Sequence, residues 1–319
     1  MTKQQHIRKA IGEIHKDLKT LPFCCLSPLC NEQAISSHSQ QKEGQLRVIS
    51  EQDKVYCLNT NIYNAIKNGG ISVRSTPIHD ASCFPGYCSN HDRSIFSKIE
   101  NKPLVSGKED QAILLFLRSI SYEYVSKLKA LYFYQEIEKN IGELLDHDMH
   151  EMLKYRKISV DAYRRIEGPY YFRQIFNIID QENFDQFCTV WHELNYTLPL
   201  SLTTTICPWL ESFQEKKTSF GTIQPLVSVS IIPEESKTHI VFSWLREHDG
   251  DASWIRDSLK TLQGLEDLLN LCLSETADCC FCPSFWKSIN SESQMNIVQN
   301  MRHSFFHERD DNVKIIELA

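Results

Sequence analysis

No stretch of this chain reaches the ~18 consecutive apolar residues that a membrane span requires, so no membrane partner is expected. The opening segment, MTKQQHIRKAIGEIHKDLKTL, lacks the apolar h-region of a secretory signal and reads as a polar amphipathic helix. Positive charge is not in excess either: 34 Lys and Arg face 41 Asp and Glu, a formal net charge of −7. A molecule with that balance does not hold nucleic acid by overall basicity, and any such contact must come from a local patch. Twelve cysteines in 319 residues are too sparse for a disulfide scaffold. Internal repeats and low-complexity tracts are lacking as well. What remains is a cytoplasmic protein with reduced thiols, in which close Cys pairs favour a metal over a disulfide. Its 41% hydrophobic content is enough for real cores, and its length suggests two or three domains.

Local pattern divides the chain into four segments. Residues 1–22 read as a helix, with Ile7, Ile11, Ile14 and Leu18 at helical spacing. Residues 23–104 are rich in Ser, Asn, Gly and Cys and poor in long apolar runs, the composition of a small module that needs a staple. Within them QLRVISEQDKVYCL reads as short strands or a hairpin, and NGG at 68–70 as a turn. Residues 105–195 carry apolar residues three and four apart and read as helices, broken at Gly168-Pro169. Residues 196–319 turn mixed. TLPLSLTTTIC, TIQPLVSVSIIP and KTHIVFSWL are strand candidates, and two helices follow, with Asp251 and Ser291 as caps. The expected class is α+β.

Chemistry concentrates in the second segment. Cys25 and Cys30 form a C-x4-C pair, with Cys24 as a substitute for the first position. Cys88 and His91 form a C-x2-H pair directly before the helix-like run DRSIFSKIE. Zinc takes four thiolate or imidazole ligands, commonly as two short pairs separated by a loop, so Cys25, Cys30, Cys88 and His91 read as a structural zinc site. The competing reading is four ordinary thiols and imidazoles packed in a reduced protein.

The order of knuckle, His38, hairpin-like segment and second pair opening a helix is similar to a treble clef, and it resembles the HNH endonuclease module over residues 23–100. The resemblance implies a ββα-like unit that hydrolyses nucleic acid with a second divalent metal such as magnesium. It implies that His38, eight residues past the knuckle, is the general base, and that Asp92, just after the second pair, holds the catalytic metal. Such roles suit phosphodiester hydrolysis, which needs a base for water and a hard cation for the developing charge. The chain departs from the family at Ser37, where Asp or His is usual, and in its second pair, C-x2-H for C-x2-C. Asn59, Asn61 and Asn64 all stand where the family's central Asn would be sought. The SH pair and the C-x2-H-D run also resemble bacterial proteins linked to phage defence. That likeness implies an effector or toxin restrained by a regulatory protein or ribonucleoprotein. The alternative is a zinc-stabilised module that binds nucleic acid or protein without catalysis.

Three further patterns bear on function. Arg302 and His307 in RHSFFH match R-x4-H and resemble the motif of HEPN ribonucleases, which implies RNA cleavage through those two residues; the plain alternative is a solvated helix end. The stretch KYRKISVDAYRRIEGPYYFR places Arg156, Lys157, Arg164, Arg165 and Arg173 among tyrosines, as a nucleic-acid surface would, or as a helix pair with its charges internally paired would. Cys279, Cys280 and Cys282 read as buried strand cysteines, redox-sensitive where exposed, and His147, Asp148, His150 and Glu151 as an exposed polar helix face.

Overall fold

The computed structural model describes residues 2–59, 72–208, 223–274, 276, 278–306, 316 and 318. Helix α1 (Lys3–Thr20) starts with a capping box in which Thr2 and Gln5 bond each other's backbone amides. Ile11 and Ile14 on its apolar stripe are buried. They pack on Phe133, Ile137 and Ile141 near the end of α3 (Glu109–Ile141) and on Leu153 of α4 (His147–Ala162). The first 11 buried positions of α3, Gln111 to Ser121, are consecutive, so this part of the helix is enclosed on every side.

The break expected at Gly168-Pro169 is instead a change of helical pitch. A π-helical turn, Tyr163–Glu167, joins α4 to α5 (Gly168–Gln181). Pro169 has no N–H to donate to the preceding turn, and the wider turn absorbs that loss without ending the helix. Gly168 keeps helical angles and is needed for space, because a Cβ there would lie 2.4 Å from the Tyr124 ring. Gly168→Ala is therefore expected to destabilise the protein by about 1–3 kcal/mol in chemical denaturation.

Seven antiparallel strands form the main sheet, in the order β3-β2-β9-β6-β7-β8-β5. They are β2 (Lys54–Asn59), β3 (Ser72–Pro77), β5 (Phe187–Leu194), β6 (Leu200–Ile206), β7 (Val227–Pro233), β8 (Thr238–Leu245) and β9 (Cys279–Phe281). All eight residues of β8 are buried. Ile240, Phe242 and Trp244 face one core, with Leu265, Leu268 and Leu269 of α6 (Leu262–Ser274). Val241 and Leu245 face the other, with α3 and α5. The sheet is thus a middle layer, as the alternation of side chains along a strand requires.

Four features differ from the sequence expectation. Residues 187–194, expected to be helical, form the edge strand β5, paired with β8 over its whole length. Phe187, Thr189, Val190 and Trp191 suit a strand, and a full ladder outweighs a weak helical period. Strands β2 and β3, from the second segment, extend the same sheet as the fourth segment through β9. The long helical run expected after Asp251 is divided into Asp249–Ala252, Trp254–Ser258 and α6. Two helices, α7 (Pro283–Ser288) and α8 (Ser291–Phe306), follow β9, and Asn290 rather than Ser291 caps α8 by accepting from Ser293 N–H. The class is α+β, and no described helix is long and apolar enough to cross a membrane.

Candidate metal centre

Cys25 and Cys30 sit on a tight knuckle. Cys25 N–H bonds the Glu32 carbonyl, Cys30 N–H bonds that of Ser27, and Leu29 at the tip takes a left-handed φ of 61°. The knuckle leans on the strand that leads to the second pair, through Leu26 N–H to Gly86 C=O and Ile35 N–H to Tyr87 C=O. Next come β1 (Ser36–His38) and β4 (Cys83–Pro85), a small antiparallel pair with His38 opposite Cys83. Helix α2 (Ser89–Glu100) begins right after, with Cys88 as its N-cap. Cys88 makes no capping bond to the helix; its sulfur turns to the other three residues instead. The His91 backbone amide favours a Cys88 thiolate, but Glu32, burial and Cys25 together push the thiol up to about 11.

The four predicted ligands converge. Cys25 Sγ lies 3.5 Å from His91 Nδ1, Cys88 Sγ lies 3.2 Å from the same nitrogen, and Cys30 Sγ lies 4.0 Å from Cys88 Sγ. All four ligand atoms fall within 4.8 Å of one another. A tetrahedral zinc with bonds of about 2.3 Å to sulfur and 2.0 Å to nitrogen spaces its ligand atoms roughly 3.5–3.8 Å apart. The donor set and the spacing therefore fit zinc, and this group can hold a metal ion. Cys24 is exposed and does not join the group. Cys25 and Cys88 belong to the core formed by Tyr87, Phe96 and the buried start of α3, so the centre is anchored to the body of the protein. Tyr87 donates or accepts a 2.6 Å bond with Ser121, and Arg118 lies over Phe96 at 4.2 Å while pairing with Glu100.

His38 is half-buried, with Nε2 3.3 Å from Cys83 Sγ. Burial, with the charges of Arg118 and Lys42, lowers its pKa below the usual imidazole range, against the carbonyls of Ile78 and His79. It is a neutral ring at neutral pH. Asp92 lies in the first turn of α2, and its Oδ1 is buried without a hydrogen-bond partner among the described residues. No hydrogen bond or ion pair joins His38 to Asp92.

The remaining candidates are placed as follows. Arg164 and Arg165 both pair with Asp161, at 2.7 and 2.8 Å, and Lys157 pairs with Glu138. Arg156 is half-buried and engaged, and Arg173 is exposed. Tyr163 and Tyr171 lie in the core and are unavailable for stacking on bases. His147, Asp148, His150 and Glu151 are all exposed on α4. Arg302 lies within α8, whereas His307, Asn61, Asn64 and the NGG turn lie outside the described residues. Cys279 and Cys280 are buried on β9, and Cys282 is half-buried.

One polar cluster was not legible in the sequence. Asp278 is 4% exposed and accepts hydrogen bonds from Ser39, Ser82 and Gln40, tying the module around β1 and β4 to the start of β9. Nothing in the spacing of residues 239 positions apart signals this contact. Burial pushes the Asp278 carboxyl up to about 6, against those three donors. A folded-state pKa above the unfolded one gives stability that is complete in acid and lost as pH rises through it. Wild type is thus expected to lose about 3 kcal/mol relative to Asp278→Asn between pH ~3 and ~7, read from urea midpoints across that range.

Compared with known protein families, curated proteins and solved structures, this chain matches none.

Proposed function

We propose that residues 23–100 form a treble-clef module of the HNH type, stapled by zinc on Cys25, Cys30, Cys88 and His91, which cleaves nucleic acid with His38 as general base. One observation carries this reading. The knuckle, the β1–β4 pair and the start of α2 bring the four ligand atoms together, and His38 sits on that same strand pair. His38 is neutral at neutral pH, the state in which an imidazole can take a proton from water. The unpartnered Asp92 Oδ1 is the condition of a carboxylate that a hard cation such as magnesium would satisfy. When bound, that cation would neutralise charge on the phosphate. Control by a regulatory partner and a role in antiviral defence belong to the same reading.

A second reading has its own support. The Cys83 sulfur faces His38 Nε2, which is the surrounding of a histidine that braces the strand pair. The module would then be structural, and the protein would act by binding. Plasmid DNA and single-stranded RNA incubated with purified protein and magnesium separate the two. Cleavage by wild type that is lost in His38→Ala, with zinc content unchanged, supports hydrolysis. Equal cleavage by the variant overturns it, as does no cleavage of either substrate.

A further inference from the structure

Neither the metal centre nor the proposed hydrolysis uses Cys57 and Cys280. Cys57 on β2 stands directly opposite Cys280 on β9, and their sulfurs are 3.0 Å apart. Both are free thiols. Opposed residues of an antiparallel pair have Cα atoms about 4.5 or 5.5 Å apart, both inside the ~4.4–6.8 Å span of natural disulfides. No backbone movement is needed to join them. The pleat separates the neighbouring cysteine from this pair: Cys280 packs with Val55 and Ile78, while Cys279 faces the core on the opposite side of the sheet. Cys282 is engaged elsewhere, 3.2 Å from Glu51 Oε1 and 3.3 Å from Ser284 Oγ.

We propose that Cys57 and Cys280 form a hydroperoxide-responsive thiol pair whose oxidation ties the β2–β3 hairpin to the rest of the sheet. The two thiols differ in access. Cys57 is half-buried and meets a small oxidant first, whereas Cys280 is 1% exposed and acts as the resolving partner. The contact with Cys57 and burial both push the Cys280 thiol well up, so it is not the first to attack the peroxide. In the first step the Cys57 sulfur displaces water from hydrogen peroxide and becomes a sulfenic acid. In the second the Cys280 sulfur attacks that sulfur, a second water leaves, and the S–S bond forms. Two thiols and one peroxide thus give one disulfide and two waters.

The consequence is mechanical. Strand β2 meets β9 through only two opposed pairs, Tyr56 with Phe281 and Cys57 with Cys280, and β9 is three residues long. A bond there locks a thin seam between parts of the chain 223 positions apart. This inference stands on the β2–β9 geometry and is independent of the nuclease reading.

The test uses full-length, zinc-loaded wild type treated with one equivalent of hydrogen peroxide, blocked with N-ethylmaleimide and digested with trypsin. Mass spectrometry is expected to find the peptide VYCLNTNIYNAIK joined to the peptide that holds Cys280, lighter by two hydrogens and separated by dithiothreitol. Fragmentation should place the bond on Cys280, not on Cys279 or Cys282. In Cys280→Ala the cross-link is expected to vanish and Cys57 to be trapped as a dimedone adduct. The proposal is overturned where Cys57 stays a free thiol while other cysteines oxidise, or where it joins a different cysteine. The wild-type map decides the matter alone if the variant fails to fold.

Discussion

Cys88→Ser is expected to release the metal and unfold the knuckle and the β1–β4 pair, an effect far beyond that of an ordinary buried Cys→Ser change. The reason is the composition of this segment. Its own sheet consists of two three-residue strands, β1 and β4, and its knuckle has few buried apolar residues. Structural zinc binding contributes about 10–16 kcal/mol in small zinc-folded peptides, more than the whole stability of many domains. A typical core substitution costs about 0.5–3 kcal/mol. Limited proteolysis reads the outcome: the variant, or wild type with a strong chelator, should be cut within residues 23–41 while α3 and the main sheet resist. Cys24→Ser is the matched control. Cys24 is exposed, so its loss should stay within about 0.5 kcal/mol and leave the metal bound.

On the proposed nuclease reading, His38→Ala is expected to lower phosphodiester cleavage by about 10²–10⁴-fold, the usual contribution of a positioned general base. Zinc content and the unfolding midpoint should move little, since the ring is only half-buried. The pH profile separates a base from a brace. The lowered pKa of His38 keeps the ring unprotonated at pH values where an ordinary histidine is charged. Activity should therefore persist below the usual imidazole range on its acid side before it falls. Cys83→Ala supplies the complementary result: a bracing role for the pair predicts a loss of stability with any activity retained.

The cluster of Cys25, Cys30, Cys88 and His91 was legible because its signal is short-range. Two ligand pairs at tight spacing state their chemistry without reference to the rest of the chain, and the order of knuckle, strand and helix gave the local path. The helices over residues 109–181 were legible from their period, apart from the π turn that Pro169 requires. Strand β5 was not, because Phe187–Leu194 follows a long helical run and owes its conformation to β8, some fifty residues further on. The union of β2 with β9 and the burial of Asp278 beneath Ser39 and Ser82 were equally hidden. Both depend on contacts across 196 to 239 positions, and no local pattern encodes such pairing. The basic and aromatic stretch at 154–173 left two readings open in sequence, a nucleic-acid surface or an internally paired helix pair. Its charges look free in sequence, but Arg164 and Arg165 share Asp161 and Lys157 pairs with Glu138.

Metal analysis combined with zinc X-ray absorption on the purified chain tests the account at its centre. One zinc per chain is expected, with three sulfur neighbours and one nitrogen neighbour at about 2.3 and 2.0 Å, and it should be lost in Cys88→Ser. A chain that carries no zinc, or keeps it in Cys88→Ser and Cys25→Ser alike, would contradict the staple and the nuclease reading built on it.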